Sequence, residues 1–268
     1  MKNKFEELVK NAPILEWDDD NSERAINYFF SAGKKPFEQF EKARQLGVTK
    51  CLIFYPRSFN ELDEIFSKCE LLYEFKSAST VSPVYLYDNK LLIALCPLGG
   101  PSSANLMEEL DYVGIKTFLA CGTCGCISKT VDMEKYFIPF NAIRDEGLSY
   151  HYIPASRTVE TNERVNNALK TALLEFGKEY VEGTIWTIDA MYRETPARLK
   201  RRALEGAIGV DMECASLCAC SKFNKIEFGE LLYFSDRTDG KNWEWKMYDK
   251  LTVRTELAKI CIRALELL

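Results

Sequence analysis

Beyond its first third, the chain repeats one order of elements: an apolar stretch of strand length, a Gly-rich turn and a helical segment. Leu91–Leu95 leads into Gly99-Gly100-Pro101 and a helix that reaches about Val113. Residues 116–120 lead in the same way into a turn at Cys121-Gly-Thr-Cys-Gly125. Alternating strands and helices predict an α/β fold with a largely parallel or mixed sheet, and ligands in such folds collect where the strands end.

Other segments extend this pattern toward both ends of the chain. Asp88-Asn89-Lys90, between two apolar runs, is typical of a hairpin turn, and Gly47 is expected to end a helix. Hydrophobic periodicity predicts helices at 36–46, 58–70, 162–176, 195–207 and 246–268, and strands at 50–55, 84–87, 180–187 and 227–235.

The composition limits the class of protein. A chain of 268 residues, 47% of them hydrophobic, suits one large domain that needs no disulfides. The formal net charge of −5 is spread along the chain, which argues against a nucleic-acid surface and favours a small-molecule enzyme or an interaction module. Ten cysteines without an apolar secretory segment predict reduced thiols and a cytoplasmic location. No apolar run approaches the roughly 20 residues of a membrane span.

Residues 209–220 are apolar enough to predict a buried helix, yet Glu213 lies among them. A buried carboxylate needs hydrogen-bond donors, because its desolvation is costly. Two interpretations are open. Glu213 is either a structural carboxylate satisfied by the backbone or by an arginine, or a group that binds a pair of sugar hydroxyls.

Both Gly-rich turns have features of ligand sites. The first, at Gly99 and Gly100, opens a helix whose free N–H groups could hold an anion, although any helix start has such groups. In the second, Gly122 and Gly125 would let the backbone approach a ligand, and Thr123 supplies a hydroxyl. The alternative is a tight loop with structural glycines.

Closely spaced cysteines invite a metal interpretation: Cys121, Cys124 and Cys126 form one group, and Cys214, Cys218 and Cys220 a second. The second group lies on an apolar helix, where small buried cysteines are common. The first is interleaved with glycines that have another use. We therefore expect no metal.

Polar groups follow two further strands. Asp236 ends the strand at 227–235, where a carboxyl group in a pocket could serve as a general acid or, alternatively, as a turn former. Residues 186–195 combine Met191 and Tyr192 with Arg193, as a base pocket needs, or form a loop with an Arg–Glu pair. His151 is the single histidine, which argues against Ser-His-Asp catalysis.

In this order, these stretches resemble the nucleoside phosphorylase family, which includes uridine phosphorylase, hexameric purine nucleoside phosphorylase and the nucleosidases. The resemblance covers residues 85–240 and has five matches: Gly99-Gly-Pro-Ser-Ser-Ala104, Cys121-Gly-Thr-Cys-Gly125, Gly183 to Tyr192, Val210-Asp-Met-Glu213 and Ser235-Asp236. It implies a single α/β domain over residues 1–268, with a central mixed, twisted sheet flanked by helices and an atypical N-terminal segment at 1–80.

The resemblance also implies roles for individual residues. Met212 and Glu213 would hold the ribose, with Glu213 accepting hydrogen bonds from the 2′ and 3′ hydroxyls. Asp236 would donate to a purine ring nitrogen as the base leaves. The remaining implied contacts are Gly100, Gly122 and Thr123 with phosphate, and Met191, Tyr192 and Arg193 with the base.

The implied partners are a small-molecule nucleoside and inorganic phosphate, which is the co-substrate. The resemblance implies no cofactor and no metal, and the charge and hydropathy of the chain argue against nucleic acid and membrane as partners. It further implies a homo-oligomer, which could be a dimer, a trimer or a hexamer.

The chain departs from the family at the expected phosphate site. Ala120 stands where the family has an arginine of the same subunit. Tyr73 stands where the family has an arginine that a partner subunit contributes. Acidic residues from Glu16 to Asp20 replace a Gly-Asp-Pro loop and would repel phosphate. Each lost charge-assisted contact costs about 1.5–3 kcal/mol. Arginines that could substitute are Arg24, Arg57, Arg144, Arg157, Arg193 and Arg237.

Three functions stay open: a nucleoside phosphorylase with rearranged phosphate ligands, a nucleosidase that uses water, and a non-catalytic nucleoside-binding protein. The sequence Arg193-Glu194-Thr195 lacks the Gln and Arg of uridine phosphorylases, which argues against uracil. The presence of both Glu213 and Asp236 argues against a pure binding protein. We place the phosphorylase first, because the ribose and acid motifs are complete.

Overall fold

The computed structural model describes residues 12–16, 24–32, 37–55, 63–246 and 250–268. They form one domain around a single eleven-stranded sheet. The strands are β1 (Lys50–Phe54), β2 (Cys69–Lys76), β3 (Val81–Tyr87), β4 (Leu91–Leu95), β5 (Thr117–Cys126), β6 (Tyr136–Asp145), β7 (Thr158–Glu160), β8 (Tyr180–Ile188), β9 (Ala207–Asp211), β10 (Glu227–Thr238) and β11 (Trp243–Trp245).

Helices cover both faces of the sheet. Within the described ranges they are α1 (Ala25–Ala32), α2 (Phe37–Gln45), α3 (Asp63–Phe66), α4 (Gly100–Tyr112), α5 (Glu163–Glu175), α6 (Pro196–Leu204), α7 (Cys214–Asn224) and α8 (Lys250–Glu266). Helices α4 and α7 pack together on one face, and α5 and α8 on the other. The predicted α/β fold, with a mixed sheet flanked by helices, is confirmed. None of the described helices is both long and apolar enough to cross a membrane.

Five strands of the sheet close into a ring. In order they are β5, β10, β6, β8 and β9, and β9 pairs again with β5. Strands β1, β4, β3 and β2 extend the sheet from β5. β5 is parallel to both β1 and β10, and such strands are buried on both faces.

Side chains of β1 alternate between two halves of the hydrophobic core. Cys51 and Ile53 face α4 and α7, whereas Leu52 and Phe54 face α5 and α8. Because both faces are covered by helices, the strand is apolar throughout. This is the reason that the central strands could be recognised as continuous apolar runs.

Several predicted elements are confirmed, with ends shifted by a few residues. Strands β3 and β4 form the predicted antiparallel hairpin, and Asp88 and Asn89 have φ of 47° and 56°, as a type I′ turn requires. The helices predicted at 162–176 and 195–207 are α5 and α6, and the strands at 50–55, 180–187 and 227–235 are β1, β8 and β10. Of the terminal helix predicted at 246–268, the described part is α8.

Three predictions of local structure are wrong. Residues 121–125 continue β5 instead of forming a turn, because β10 pairs along them and β9 pairs with Gly125. Residues 209–211 belong to β9, so the buried helix begins only at Cys214. The helix predicted at 58–70 is limited to Asp63–Phe66 in the described part, and β2 begins at Cys69; residues 58–62 lie outside it.

Candidate active site

Glu213 lies in the short link between β9 and α7 and is 5% exposed. Its Oε1 accepts a hydrogen bond of 2.6 Å from the backbone N–H of Gly99, and its Oε2 accepts one of 3.3 Å from the N–H of Met212. Gly99 directly precedes α4, so the carboxyl group joins the starts of α4 and α7. The backbone supplies the donors that burial demands, and the oxygens keep further lone pairs for a ligand.

Asp211, at the end of β9, holds this link in place. Its Oδ2 accepts hydrogen bonds from the N–H groups of Glu213 (3.0 Å) and Cys214 (2.6 Å). Its Oδ1 accepts one of 2.7 Å from the hydroxyl of Thr187 in β8. A carboxylate is stabilised at the N-terminus of a helix, so Asp211 caps α7 and orients the backbone of Glu213.

The burial of these acids changes their protonation. Burial first, and then the charge of Asp211, raise the pKa of Glu213 to about 8. Burial likewise raises the pKa of Asp211 to about 6. Glu213 is therefore mostly protonated at neutral pH, and a protonated carboxyl group both donates and accepts hydrogen bonds.

Glu230 of β10 extends this acidic cluster. It is 1% exposed, its Oε2 has no hydrogen-bond partner, and burial raises its pKa well above the ordinary glutamate value. Ligand atoms of Asp211, Cys214 and Glu230 lie within 4.8 Å of one another, a spacing that could hold a metal ion. However, both oxygens of Asp211 already accept from protein donors, and the N-terminus of α7 disfavours a cation. The raised pKa of Glu230 favours its neutral form, which can be buried beside Asp211 without a cation.

Asp236 lies near the end of β10 and is 7% exposed. The hydroxyl of Ser235 donates to its Oδ1, and the indole N–H of Trp243 donates to its Oδ2 over 2.8 Å. In the sheet, Asp236 is the partner of Gly125 in β5. Its carboxyl group is therefore held by donors on two sides.

Gly125 separates the two acidic segments. A Cβ built on Gly125 would lie 3.0 Å from Cγ1 of Val210 and 3.6 Å from Oδ2 of Asp236. Val210 is three residues before Glu213 on β9. The fold thus brings the segment that holds Glu213 and the carboxyl group of Asp236 to opposite sides of one glycine, which a larger residue would crowd.

Met191–Arg193 form a 3₁₀ turn soon after β8. Met191 is 43% exposed and Tyr192 is 94% exposed, so the side chain of Tyr192 projects from the surface of this chain. The next residue, Glu194, is half-buried; burial and the charge of Asp236 raise its pKa to about 7. Pro196, three residues after the turn, lies 2.7 Å from a Cβ built on Gly240, in the segment that follows β10.

Comparison with known proteins identifies the family. A family model described as "Phosphorylase superfamily" matches residues 67–266. The chain belongs to this superfamily. The resemblance expected from the sequence motifs is therefore confirmed.

Curated relatives of this phosphorylase-superfamily chain are distant. Guanosine phosphorylase from Halorubrum lacusprofundi is 24% identical over 176 residues, which are 66% of this chain and 73% of that relative. Uridine phosphorylase from Haemophilus influenzae is 30% identical over 108 residues, 40% of this chain and 43% of the relative. The second match spans less than half of the relative's own length.

Two solved structures share the superfamily fold. Purine nucleoside phosphorylase from Toxoplasma gondii, in complex with immucillin-H, superposes with a TM-score of 0.69 at 22% identity, over 82% of this chain and 91% of that one. AMP nucleosidase from Bacteroides thetaiotaomicron superposes with a TM-score of 0.65 at 22% identity, over 86% and 96%. One of these two proteins is named a phosphorylase and the other a nucleosidase.

The residues expected to bind phosphate do not form a single loop in this protein. The N–H of Gly100 donates to the carbonyl oxygen of Met212 over 3.0 Å, and a Cβ on Gly100 would lie 2.4 Å from Oγ of Ser216. Gly122 and Thr123 lie within β5, and the side chain of Thr123 is exposed. The amide of Gly100 is therefore already engaged within the protein.

Arg144 is committed to a structural role. It is 3% exposed, and its guanidinium donates to Oγ of Ser149 (2.8 Å), the carbonyl of Pro154 (2.8 Å) and Oγ of Ser156 (2.7 Å). It also lies 4.4 Å over the ring of Tyr150. These contacts use most of the donors with which a phosphate could be bound.

Most of the other candidate arginines also have protein partners. Arg193 is exposed and makes no ion pair with any described residue, and Arg57 lies outside the described ranges. The engaged ones are Arg24 with Glu108 and Asp111, Arg157 with Glu205, and Arg237 with the carbonyl of Val131 and with Glu244.

Trp243, which donates a hydrogen bond to Asp236, is a site residue that the sequence motifs did not reveal. It follows Asp239-Gly240, a dipeptide typical of hairpin turns, and alternates with Trp245 as strand residues do. These signals could have predicted the β10–β11 hairpin. That its indole reaches back to Asp236 required the register of the two strands.

Proposed function

We propose that this chain cleaves the N-glycosidic bond of a purine or pyrimidine nucleoside with inorganic phosphate, giving free base and pentose 1-phosphate. The observation that carries the proposal is the placement of Glu213 and Asp236. Each carboxyl group is buried, each is held by defined donors, and their segments flank Gly125. Membership of the phosphorylase superfamily supports this reaction class.

The two acids suit the charge changes of this reaction. When an N-glycosidic bond breaks, positive charge develops on the sugar and negative charge on the departing base. Glu213, with Met212, would hold the 2′ and 3′ hydroxyls, and its protonated carboxyl could accept from one and donate to the other. Asp236 would neutralise the base as it leaves. Met191, Tyr192 and Arg193 would complete the base site.

The choice of phosphate as acceptor is supported by the relatives' names. Curated relatives of the chain include proteins named guanosine, uridine and purine nucleoside phosphorylase. In this proposal Gly100, Gly122 and Thr123 face the phosphate, no cofactor is required, and the enzyme acts as a cytoplasmic homo-oligomer.

Hydrolysis is a second candidate, and the charges at the site favour it. The amides of Gly99 and Gly100 are engaged, and Tyr73 packs against the rings of Phe40 and Phe75. Ala120, at the other arginine position, is fully buried. Within the part of the chain that the structure describes, several acids are buried and most candidate arginines are engaged by protein groups. Such a site disfavours a phosphate dianion more than it disfavours water.

The deciding experiment is release of free base from a panel of purine and pyrimidine nucleosides, with and without inorganic phosphate, followed by chromatography. Phosphate-dependent release together with pentose 1-phosphate is the expected result. Release without phosphate would establish the nucleosidase instead. No release from any nucleoside would refute both and leave a binding protein, which equilibrium dialysis with the same panel would reveal.

The ribose role of Glu213 can be tested separately. Glu213→Ala should raise KM and lower kcat together, because ribose contacts act in both the ground state and the transition state. Glu175→Ala, which removes an exposed carboxylate paired with Arg263, serves as the control. A loss of thermal stability in Glu213→Ala with unchanged kinetics would show that the residue is only structural.

A further inference from the structure

The β10–β11 hairpin ends in a tightly bonded turn. Oδ1 of Asp239 accepts hydrogen bonds from the N–H groups of Lys241 (2.9 Å) and Asn242 (2.8 Å). Oγ1 of Thr238 accepts from the N–H of Gly240 over 2.9 Å and donates to the carbonyl of Asn242 over 3.1 Å. This network determines where the next residue, Trp243, begins the return strand.

The hairpin is also anchored on the rest of the domain. A Cβ on Gly240 would lie 2.7 Å from the backbone nitrogen of Pro196, at the start of α6, so the turn packs closely there. At the other end of β11, Nζ of Lys246 donates to the carbonyl of Met133 over 2.7 Å. Pro196 follows the Met191–Arg193 turn by three residues. The hairpin is therefore seated against the segment expected to bind the base.

Within this hairpin, Trp243 reaches back to Asp236. Its Nε1–H donates to Oδ2 over 2.8 Å, while Oδ1 accepts from Ser235. Trp245 stacks on Trp243 with ring centroids 5.8 Å apart and planes at 24°, which limits the rotation of the Trp243 ring. Trp243 is 47% exposed, so its large ring is held by these contacts and not by deep burial.

We propose that Trp243 is a positioning residue that fixes the orientation of the Asp236 carboxyl group toward the leaving base. This inference rests on the proposed function, in which Asp236 acts on the base. If the hydrogen bond from the adjacent Ser235 were its only contact, the carboxyl group of Asp236 could still rotate about that hydrogen bond. A second donor from the opposite strand removes this freedom, and small misplacements of a reacting group are costly in catalysis.

The test compares Trp243→Phe with Trp245→Phe by steady-state kinetics on the best nucleoside of the panel. Trp243→Phe keeps an aromatic ring but removes the N–H, and a lost hydrogen bond to a charged group corresponds to about 10- to 100-fold in rate. We expect this loss in kcat with KM unchanged. Trp245→Phe, which keeps an aromatic ring beside Trp243 and leaves the Trp243 N–H donor to Asp236 in place, should stay near the wild-type values. Trp243→His, which retains a ring N–H, should recover part of the loss.

A substrate that needs no help at the leaving group sharpens the result. If Trp243 acts only through Asp236, Trp243→Phe should cost much less kcat with a riboside whose leaving group departs as a stable anion, such as p-nitrophenolate, than with the nucleoside. Equal kcat for Trp243→Phe and Trp245→Phe would overturn the inference, as would a change confined to KM or thermal stability. Wild-type protein that releases no base would overturn the proposed function and the inference together, whereas an active wild type with an unaffected Trp243→Phe would overturn the inference alone.

Discussion

Replacing Glu213 by Gln should make the protein more stable at alkaline pH. Glu213 is 5% exposed, and its pKa is raised to about 8 by burial and by the charge of Asp211. Gln has nearly the same shape, keeps an oxygen that can accept from the N–H of Gly99, and cannot ionise. The substitution therefore removes the titration while retaining the packing and the 2.6 Å hydrogen bond.

The sign and size follow from proton linkage. Below the ordinary glutamate pKa of 4.5, folded and unfolded chains both hold the proton on Glu213. Between about pH 4.5 and 8 the unfolded chain releases this proton and the folded chain keeps it, so the free energy of unfolding falls as pH rises. Each pH unit of this window costs about 1.4 kcal/mol, which gives an upper limit of about 5 kcal/mol at pH 8.

Urea unfolding of the wild type and of Glu213→Gln, near pH 5 and near pH 8.5, measures this difference. We expect similar stability at the lower pH and a Glu213→Gln protein that is more stable by several kcal/mol at the higher. Glu194 titrates alike in both proteins, so its contribution largely cancels. The charge of Glu213 helps to raise the pKa of Glu230, so its removal acts in the same direction and adds to the alkaline gain. Glu175→Gln, at an exposed ion pair, is the control and should show no alkaline gain. The same pH dependence in Glu213→Gln and wild type would refute the reasoning.

Three further substitutions test the site and its support. Asp236→Asn should abolish turnover of a purine nucleoside while the circular dichroism spectrum is unchanged; normal turnover would remove Asp236 from the mechanism. Gly100→Ala should destabilise the fold by about 1–3 kcal/mol, because the new Cβ would meet Oγ of Ser216 at 2.4 Å. Ser216→Gly in the same chain should recover only part of this loss in thermal unfolding, because it relieves the clash but removes the Ser216 hydrogen bond to Glu146 and places a glycine within α7. Arg144→Lys should cost about 2–3 kcal/mol in urea unfolding, since Lys cannot reproduce the donor fork that binds Ser149 and Ser156; an unchanged midpoint would contradict that role.

Many elements could be predicted because their signals are local. The β3–β4 hairpin follows from two apolar runs around Asp88-Asn89, and α5 from its helical periodicity and its cap at Asn162, whose side chain accepts from the N–H of Val165. Strands β2 and β6 were missed. β2 is the last strand on its side of the sheet and is mostly partly exposed, and Pro139 in β6 coincides with a register shift opposite Gly183. Such strands lack the continuous apolar run of β4.

The family, the α/β class and the acidic and glycine residues near the strand ends could all be predicted before folding was known, because they depend on motifs and on local patterns of burial. Tertiary structure decided how those residues are used. Residues 121–125, predicted as a turn, form part of β5 because they pair with β9 and β10. Arg144 binds the loop at Pro154, so its guanidinium is not free to bind phosphate. Trp243 reached Asp236 only through the register of the β10–β11 hairpin. Hydrogen-bond partners are chosen among all groups that folding brings close, and most of those groups are distant in the sequence.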